Sequence, residues 1–312
     1  MRVLVTGATG FVGNLLARRF VAEGHEVIGV TSGHWKPRVP PPGVEPGHLH
    51  NVLCGGQFDV LVHAAGPSNV RTCHEQPVVV GRALQDWSAL LERAWVNRAQ
   101  VILLSSHSVY GMQERQPISE DVVLAPRSIY GAMKAAQETL GFAFHHAKGL
   151  GVTALRCVTL VGGAERPDAL VRRLTEAAIA GNITLDGGGT QARGVCDVED
   201  AVDAVVRCLG REDLAGEAYN IGSGVSVRII DLAGLIADEV ALVTRHRPEI
   251  TVVVPRSHEE GNLDVNMGKA WIAGLLPVGD VPLSKHAVFG QPRSWEDAVR
   301  RTVKWCVENQ KG

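Results

Sequence analysis

Arg2-Val3-Leu4-Val5-Thr6, followed by Gly7-Ala8-Thr9-Gly10-Phe11-Val12-Gly13, decides the fold. The first five residues are a short apolar run of the kind that makes a strand buried on both faces of a parallel sheet. The run stops at glycine, and residues 14–23 follow at helical spacing. Strand, glycine loop and helix in that order make a dinucleotide-binding turn. The glycines permit the tight bend, let the backbone approach a pyrophosphate, and let helix pack against strand; the phosphates then sit at the helix N-terminus. Gly7, Thr9, Gly10, Phe11, Val12 and Gly13 are accordingly assigned to the cofactor.

Working outward, residues 26–31 read as the second strand. A free ribose 2′-hydroxyl calls for an acidic residue at its end, but the chain has Thr31-Ser32-Gly33, with Lys36 and Arg38 just beyond. Missing acid and nearby base suit a 2′-phosphate, so Thr31 and Ser32 join the cofactor set, and the choice between NAD and NADP tilts slightly to NADP. Residues 35–50, rich in proline and glycine, read as a loop, and the third strand is poorly marked. Residues 59–63 form a strand running into Ala64-Ala65-Gly66, where His63, Ala64 and Ala65 pass beneath the cofactor. A helix over 77–96 buries Leu84, Trp87, Leu90, Leu91 and Ala94.

The strand at 101–105 delivers Ser105-Ser106-His107-Ser108-Val109-Tyr110-Gly111 at its carboxyl end, where open α/β sheets bind ligands. Ser105 is assigned to the cofactor, and turn capping competes as a reading of both Ser105 and Ser108. Tyr130-Gly-Ala-Met-Lys134 puts a phenol and an ammonium on one face of a helix expected over 130–147. A free phenol titrates near ~10; a fixed cation beside it lowers that value and fits it for proton transfer. A strand follows at 152–157. Beyond Thr159 the elements are short: helices over 168–180, 199–209 and 227–242, strands at 183–185 and 217–221, and a final apolar stripe of Trp295, Val299, Val303 and Cys306.

Composition excludes several classes. The 312 residues are 45% hydrophobic and 21% charged, with a formal net charge of -2, as in globular α/β proteins. No basic run suits nucleic acid, and no apolar run reaches the ~20 residues that span a bilayer. The six cysteines are scattered without metal-ligand spacing, so reduced thiols in the cytoplasm are expected, with no metal.

Together, Gly7-x-x-Gly10-x-x-Gly13, Asp59-Val-Leu-Val-His63-Ala-Ala65, Ser106-x-x-Val109-Tyr110-Gly111 and Tyr130-x-x-x-Lys134 resemble the extended short-chain dehydrogenase/reductases, and within them the nucleotide-sugar epimerase/dehydratase branch. Gly181-x-x-x-Leu185-x-Gly-Gly-Gly-x-Gln191-x-Arg193 and Tyr219-Asn220-Ile221-Gly222 are similar to later segments of that branch. The resemblance implies a Rossmann-type doubly wound parallel sheet with a smaller C-terminal α/β substrate domain. The dinucleotide domain would take residues 1–165 with part of 190–221, and the substrate domain 166–189 and 222–312. It implies an NAD(P)-dependent enzyme acting on a UDP- or TDP-hexose, best at C4, as epimerase or ketoreductase, and a homodimer. Tyr130 would be the acid/base, Lys134 its partner on the nicotinamide ribose, and Ser106 the donor to the reacting oxygen. Arg193 would bind the diphosphate with Arg256 as a second contact, and His107, Ser108 and Thr159 would line the sugar site. Two departures stand out: His107-Ser108 replaces the Asp-Glu of the dehydratases, and Thr159 replaces the asparagine of Arg-x-x-Asn. A ketoreductase of a non-sugar substrate and a non-catalytic dinucleotide-binding protein remain alternatives.

Overall fold

The computed structural model describes residues 1–31, 39–253, 264–276 and 293–309. The chain begins β1 (Arg2–Thr6), α1 (Phe11–Ala22), β2 (Glu26–Val30), β3 (Glu45–Gly47), α2 (Leu49–Leu53) and β4 (Val60–His63). It continues α3 (Val70–Glu75), α4 (Val78–Asn97), β5 (Gln100–Ser106), α5 (Ile129–Lys148), β6 (Val152–Cys157) and β7 (Thr159–Val161). Then come α6 (Leu170–Ile179), β8 (Asn182–Leu185), β9 (Ala192–Asp197), α7 (Val198–Cys208), β10 (Ala218–Ile221) and β11 (Ser226–Arg228). The remaining elements are α8 (Ile229–Thr244), β12 (Glu249–Val252), α9 (Gly268–Ile272) and α10 (Trp295–Asn309).

Seven parallel strands form the large sheet, in the order β10-β6-β5-β4-β1-β2-β3. The side-chain period of two sorts its core. Val3, Val5, Val60, Val62, Ile102 and Leu104 pack on one face with α1 and α7. Leu4, Leu61, Val101 and Leu103 pack on the other, with Trp87, Leu90 and Leu91 of α4. Each fully buried aliphatic or aromatic side chain contributes roughly 1.5–3 kcal/mol, so the strands that read as unbroken apolar runs are those covered on both faces. This is the doubly wound fold expected, and its strand order reverses between β1 and β4, where such sheets open a crevice.

Two small sheets complete the chain: β11-β9-β7, and β8 paired with β12. With α6, α8 and α10 they enclose a separate apolar cluster that includes Val161, Val195, Ile236 and Val299. The loop expected over 35–50 contains β3, a strand with Glu45 and Pro46 exposed. An edge position tolerates proline because one side of its backbone needs no partner. Among the described residues no helix is long and apolar enough to cross a membrane, and no cluster suits a metal.

Candidate active site

The glycine loop is built by close approach. Gly7 has φ +74°, and a Cβ on Gly13 would lie 2.1 Å from the Gly7 carbonyl oxygen. Helix α1 can therefore start directly against the loop, with Gly10 at its N-cap and Gly10 exposed. Thr9, Phe11 and Val12 are half-buried around it. Residues after β4 pass just beneath: a Cβ on Gly7 would lie 2.8 Å from the Ala64 carbonyl oxygen. Beside this crossing lies a cleft lined by residues that include Thr6, Val30, His63, Ala65, Arg82 and Asp86. A glycine cradle that any side chain would fill, a helix N-terminus and a cleft at the switch point fit a dinucleotide. Of the four residues that suggested a 2′-phosphate, only Thr31, just past β2, belongs to the described chain; Ser32, Lys36 and Arg38 lie outside it.

His63 is buried and fully engaged. The Gln137 amide donates to its Nε2 at 3.2 Å, so Nδ1 carries the proton and donates to Thr6 Oγ1 at 2.9 Å. The ring also lies 4.6 Å from that of Trp87. Burial, and then the charge of Lys134, push the imidazole down to about 3. His63 is thus a neutral strut under the cleft.

The reacting groups come from β5 and α5. Ser128 caps α5 by accepting from the Gly131 amide at 3.0 Å. Gly131 lets the helix press onto the 3-10 turn at His107–Val109, since a Cβ there would meet the Ser108 carbonyl oxygen at 2.5 Å. That contact brings Tyr130 beside Ser106, whose side chain acts to lower the titration of the phenol. Lys134, one turn on and buried, donates to the Leu104 carbonyl oxygen at 2.8 Å. Burial pushes its ammonium down to about 8. The sequence reading has a cation lowering the Tyr130 phenol. In the structure desolvation dominates and raises it, while the Ser106 side chain and the charge of Arg166 act the other way.

The neighbouring hydroxyls are distributed differently from their sequence roles. Ser106 caps the 3-10 turn, accepting from the Ser108 amide at 3.2 Å. Ser105, assigned to the cofactor, directs its hydroxyl to Glu138. His107, which the Asp-Glu comparison placed at the sugar, is buried with Nδ1 3.0 Å from the Cys157 carbonyl oxygen. Ser108 is half-buried.

Thr159 and Arg193, expected to contact the substrate, are joined to this floor by chain continuity. Ser106 is in register with Cys157 on β6, and two residues later the chain enters β7 at Thr159. Thr159 pairs with Val195 on β9, and Arg193 precedes Val195 by two, so Thr159 and Arg193 share one sheet face. Arg193 is half-buried and donates to the Ala192 carbonyl oxygen at 3.2 Å. Arg256 lies outside the described residues.

The sequence reading gave two arginines no role at the site. Arg166 follows Glu165, which is anchored to Thr302 Oγ1 (2.6 Å) and the Gly162 amide (3.1 Å). Arg156, within an apolar strand, is buried against Glu138 at 2.8 Å.

Comparison with known proteins agrees with this geometry. Residues 3–222 match the family described as NAD dependent epimerase/dehydratase. The UDP-glucose 4-epimerase of Mycolicibacterium smegmatis is 30% identical over 263 residues, 77% of this chain and 83% of that one. A dTDP-glucose 4,6-dehydratase of Streptomyces griseus is 29% identical over 259 residues, 76% and 77% of the two chains. Among solved structures, MoeE5 in complex with UDP-glucose and NAD superposes with a TM-score of 0.82 at 26% identity, covering 99% of this chain and 100% of its own. By that match over residues 3–222, the chain belongs to the NAD dependent epimerase/dehydratase family.

Proposed function

We propose that the protein interconverts or reduces a nucleotide-activated hexose at a ring carbon, best assigned as C4, using a nicotinamide dinucleotide. The observation that carries this reading is the close packing of α5, with Tyr130 and Lys134 one turn apart, onto the carboxyl end of β5 at Ser106. Bound NAD supplies hydride transfer. Ser106 orients the reacting oxygen and Tyr130 holds or takes its proton. Lys134, buried beside them, faces the nicotinamide ribose. Gly7–Gly13 receives the dinucleotide phosphates, and Arg193 with Thr159 receives the substrate diphosphate.

NAD is the proposed cofactor because MoeE5 holds it; the tilt to NADP finds no support among the relatives. Water elimination is disfavoured, since His107 and Ser108 stand where an acid–base pair is required and His107 is committed to the Cys157 carbonyl. Residues 166–189 and 222–312 are proposed to form the substrate side.

A second reading of the sugar has its own observation. The positive charge of Arg166 acts on the Tyr130 phenol, and its part-exposed guanidinium pairs through Nε with Asp168 Oδ1 at 2.9 Å. A cation so placed suits a hexose carrying a carboxylate at C5, and MoeE5 also binds UDP-glucuronic acid.

The test is incubation with NAD and a panel of UDP- and TDP-hexoses and hexuronic acids, with products identified by NMR. The expected result is a C4 epimer or a C4 alcohol. Tyr130→Phe should cut turnover at least ~100-fold, in the range of general acid–base catalysis, while dinucleotide affinity holds. Normal turnover in that variant, or no binding of any nucleoside diphosphate by the wild type, would remove the reading. Failure of nucleotide binding with retained ketone reduction would favour a non-sugar ketoreductase, and dinucleotide binding with no turnover a non-catalytic protein.

A further inference from the structure

A buried polar row lies directly behind the reacting groups. Ser105, Arg156 and Asn220 occupy one row across β5, β6 and β10. Above that row sits Glu138 on α5, one turn past Lys134, with 1% exposure. Ser105 donates its hydroxyl to Glu138 Oε1. Arg156 grips the same carboxylate through Nη2 at 2.8 Å and Nε at 3.1 Å. Its Nη1 donates to the Tyr110 hydroxyl and to the Glu120 carbonyl, both at 3.0 Å. Tyr110 in turn donates to Asn220 Oδ1 at 2.6 Å. Asn220 Nδ2 donates to the Ile118 and Asn266 carbonyls at 3.1 and 3.0 Å.

We propose that Glu138 and Arg156 are positioning residues that set Ser106 on β5 against Tyr130 on α5, an inference that rests on the catalytic roles proposed above. Only two elements supply the reacting hydroxyls, β5 and α5, and each is tied to this pair within one residue or one turn of the site. Ser105 fixes the strand next to Ser106. Glu138 fixes the rotation and height of the helix that carries Tyr130 and Lys134. A bidentate carboxylate–guanidinium pair defines direction as well as distance, which a packed apolar contact does not. Misplacement of reacting groups by about 1 Å costs roughly 100-fold in rate, so the row acts on catalysis through geometry.

A buried pair can often be replaced by apolar residues of similar volume without loss of stability, and this separates positioning from folding. The experiment compares wild type, Ser105→Ala and the double variant Glu138→Leu/Arg156→Met. Three readouts are taken: thermal unfolding, turnover of the identified nucleotide sugar, and titration of the Tyr130 phenol by ¹³C NMR. Tyr130 is one of three tyrosines, so Tyr130→Phe identifies its signal. The expected result is near-wild-type unfolding, kcat down about 100-fold with KM little changed, and the phenol titration displaced upward by about half to one pH unit as Ser106 moves away from the phenol. An unchanged phenol titration in Ser105→Ala overturns the proposal, whether or not the double variant folds. The phenol readout needs no substrate, so an unchanged titration separates failure of this inference from failure of the sugar assignment.

Discussion

Replacing His63 by asparagine should change how the protein resists acid. In the folded chain the imidazole is buried, donates to Thr6 and accepts from Gln137, and it is pushed down to about 3. In the unfolded chain it returns to an ordinary value near ~6.5. The folded value is the lower, so the unfolded chain binds the extra proton between the two, and stability rises with pH through that window. The contribution is fully present above about pH 6.5 and is lost as pH falls toward 3. At ~1.36 kcal/mol per pH unit the whole gap corresponds to about 5 kcal/mol, of which roughly 2 kcal/mol is gone by pH 5. That is a large share of a typical stability of ~5–15 kcal/mol. Asparagine keeps a donor toward Thr6 but does not titrate. It gives up the ring beside Trp87 and the acceptor for Gln137, so it should start about 2 kcal/mol less stable at pH 7. Urea unfolding at several values between pH 7 and pH 5 measures both proteins. The expected difference is a steep decline in the wild type and a flatter one in the variant. Parallel declines would show that His63 is not the buried neutral group described.

Lys134 sets the opposite, alkaline edge. With its folded value near 8 and an unfolded value near 10.5, the wild type should gain about 3 kcal/mol as pH rises between them. Lys134→Met should lack that rise in urea unfolding; an identical rise in both would contradict the burial of the ammonium. Gly13→Ala puts a methyl 2.1 Å from the Gly7 carbonyl, so the loop must open. Fluorescence titration should then show NADH binding weakened at least ~100-fold, about 2.7 kcal/mol; normal binding would place the dinucleotide elsewhere.

The parts of the fold that were legible in the sequence share a physical reason. β1, β4, β5 and β6 are covered on both faces, so their apolar runs stand out, and residues 152–157 are the strand observed. β3 was hidden because an exposed edge strand with Pro46 has no such pattern. β7, β9 and β11 are short, and their pairing joins residues far apart in the chain. At the site, Gly7–Gly13, Tyr130 and Lys134 were readable because local spacing carries their geometry. The roles of Ser105 and Arg156 were not, since both depend on Glu138, which a helix–strand packing brings to them. Arg156 within an apolar strand was a signal of a kind: a buried guanidinium requires a partner, though nothing in the spacing names it.

The last strand of the large sheet, β10, reaches its place only after the chain has passed through β7, β8 and β9. During synthesis, at roughly 5–20 residues per second, β6 therefore waits several seconds as an open edge. An unpaired edge in an incomplete sheet is a template for another chain. Over the same interval Arg156 has Glu138 and Tyr110, but Tyr110 lacks Asn220, the acceptor for its own hydroxyl. A nascent chain stalled before Ala218 should thus be prone to self-association, and removing residues beyond 165 would leave a half-built sheet with a sticky rim.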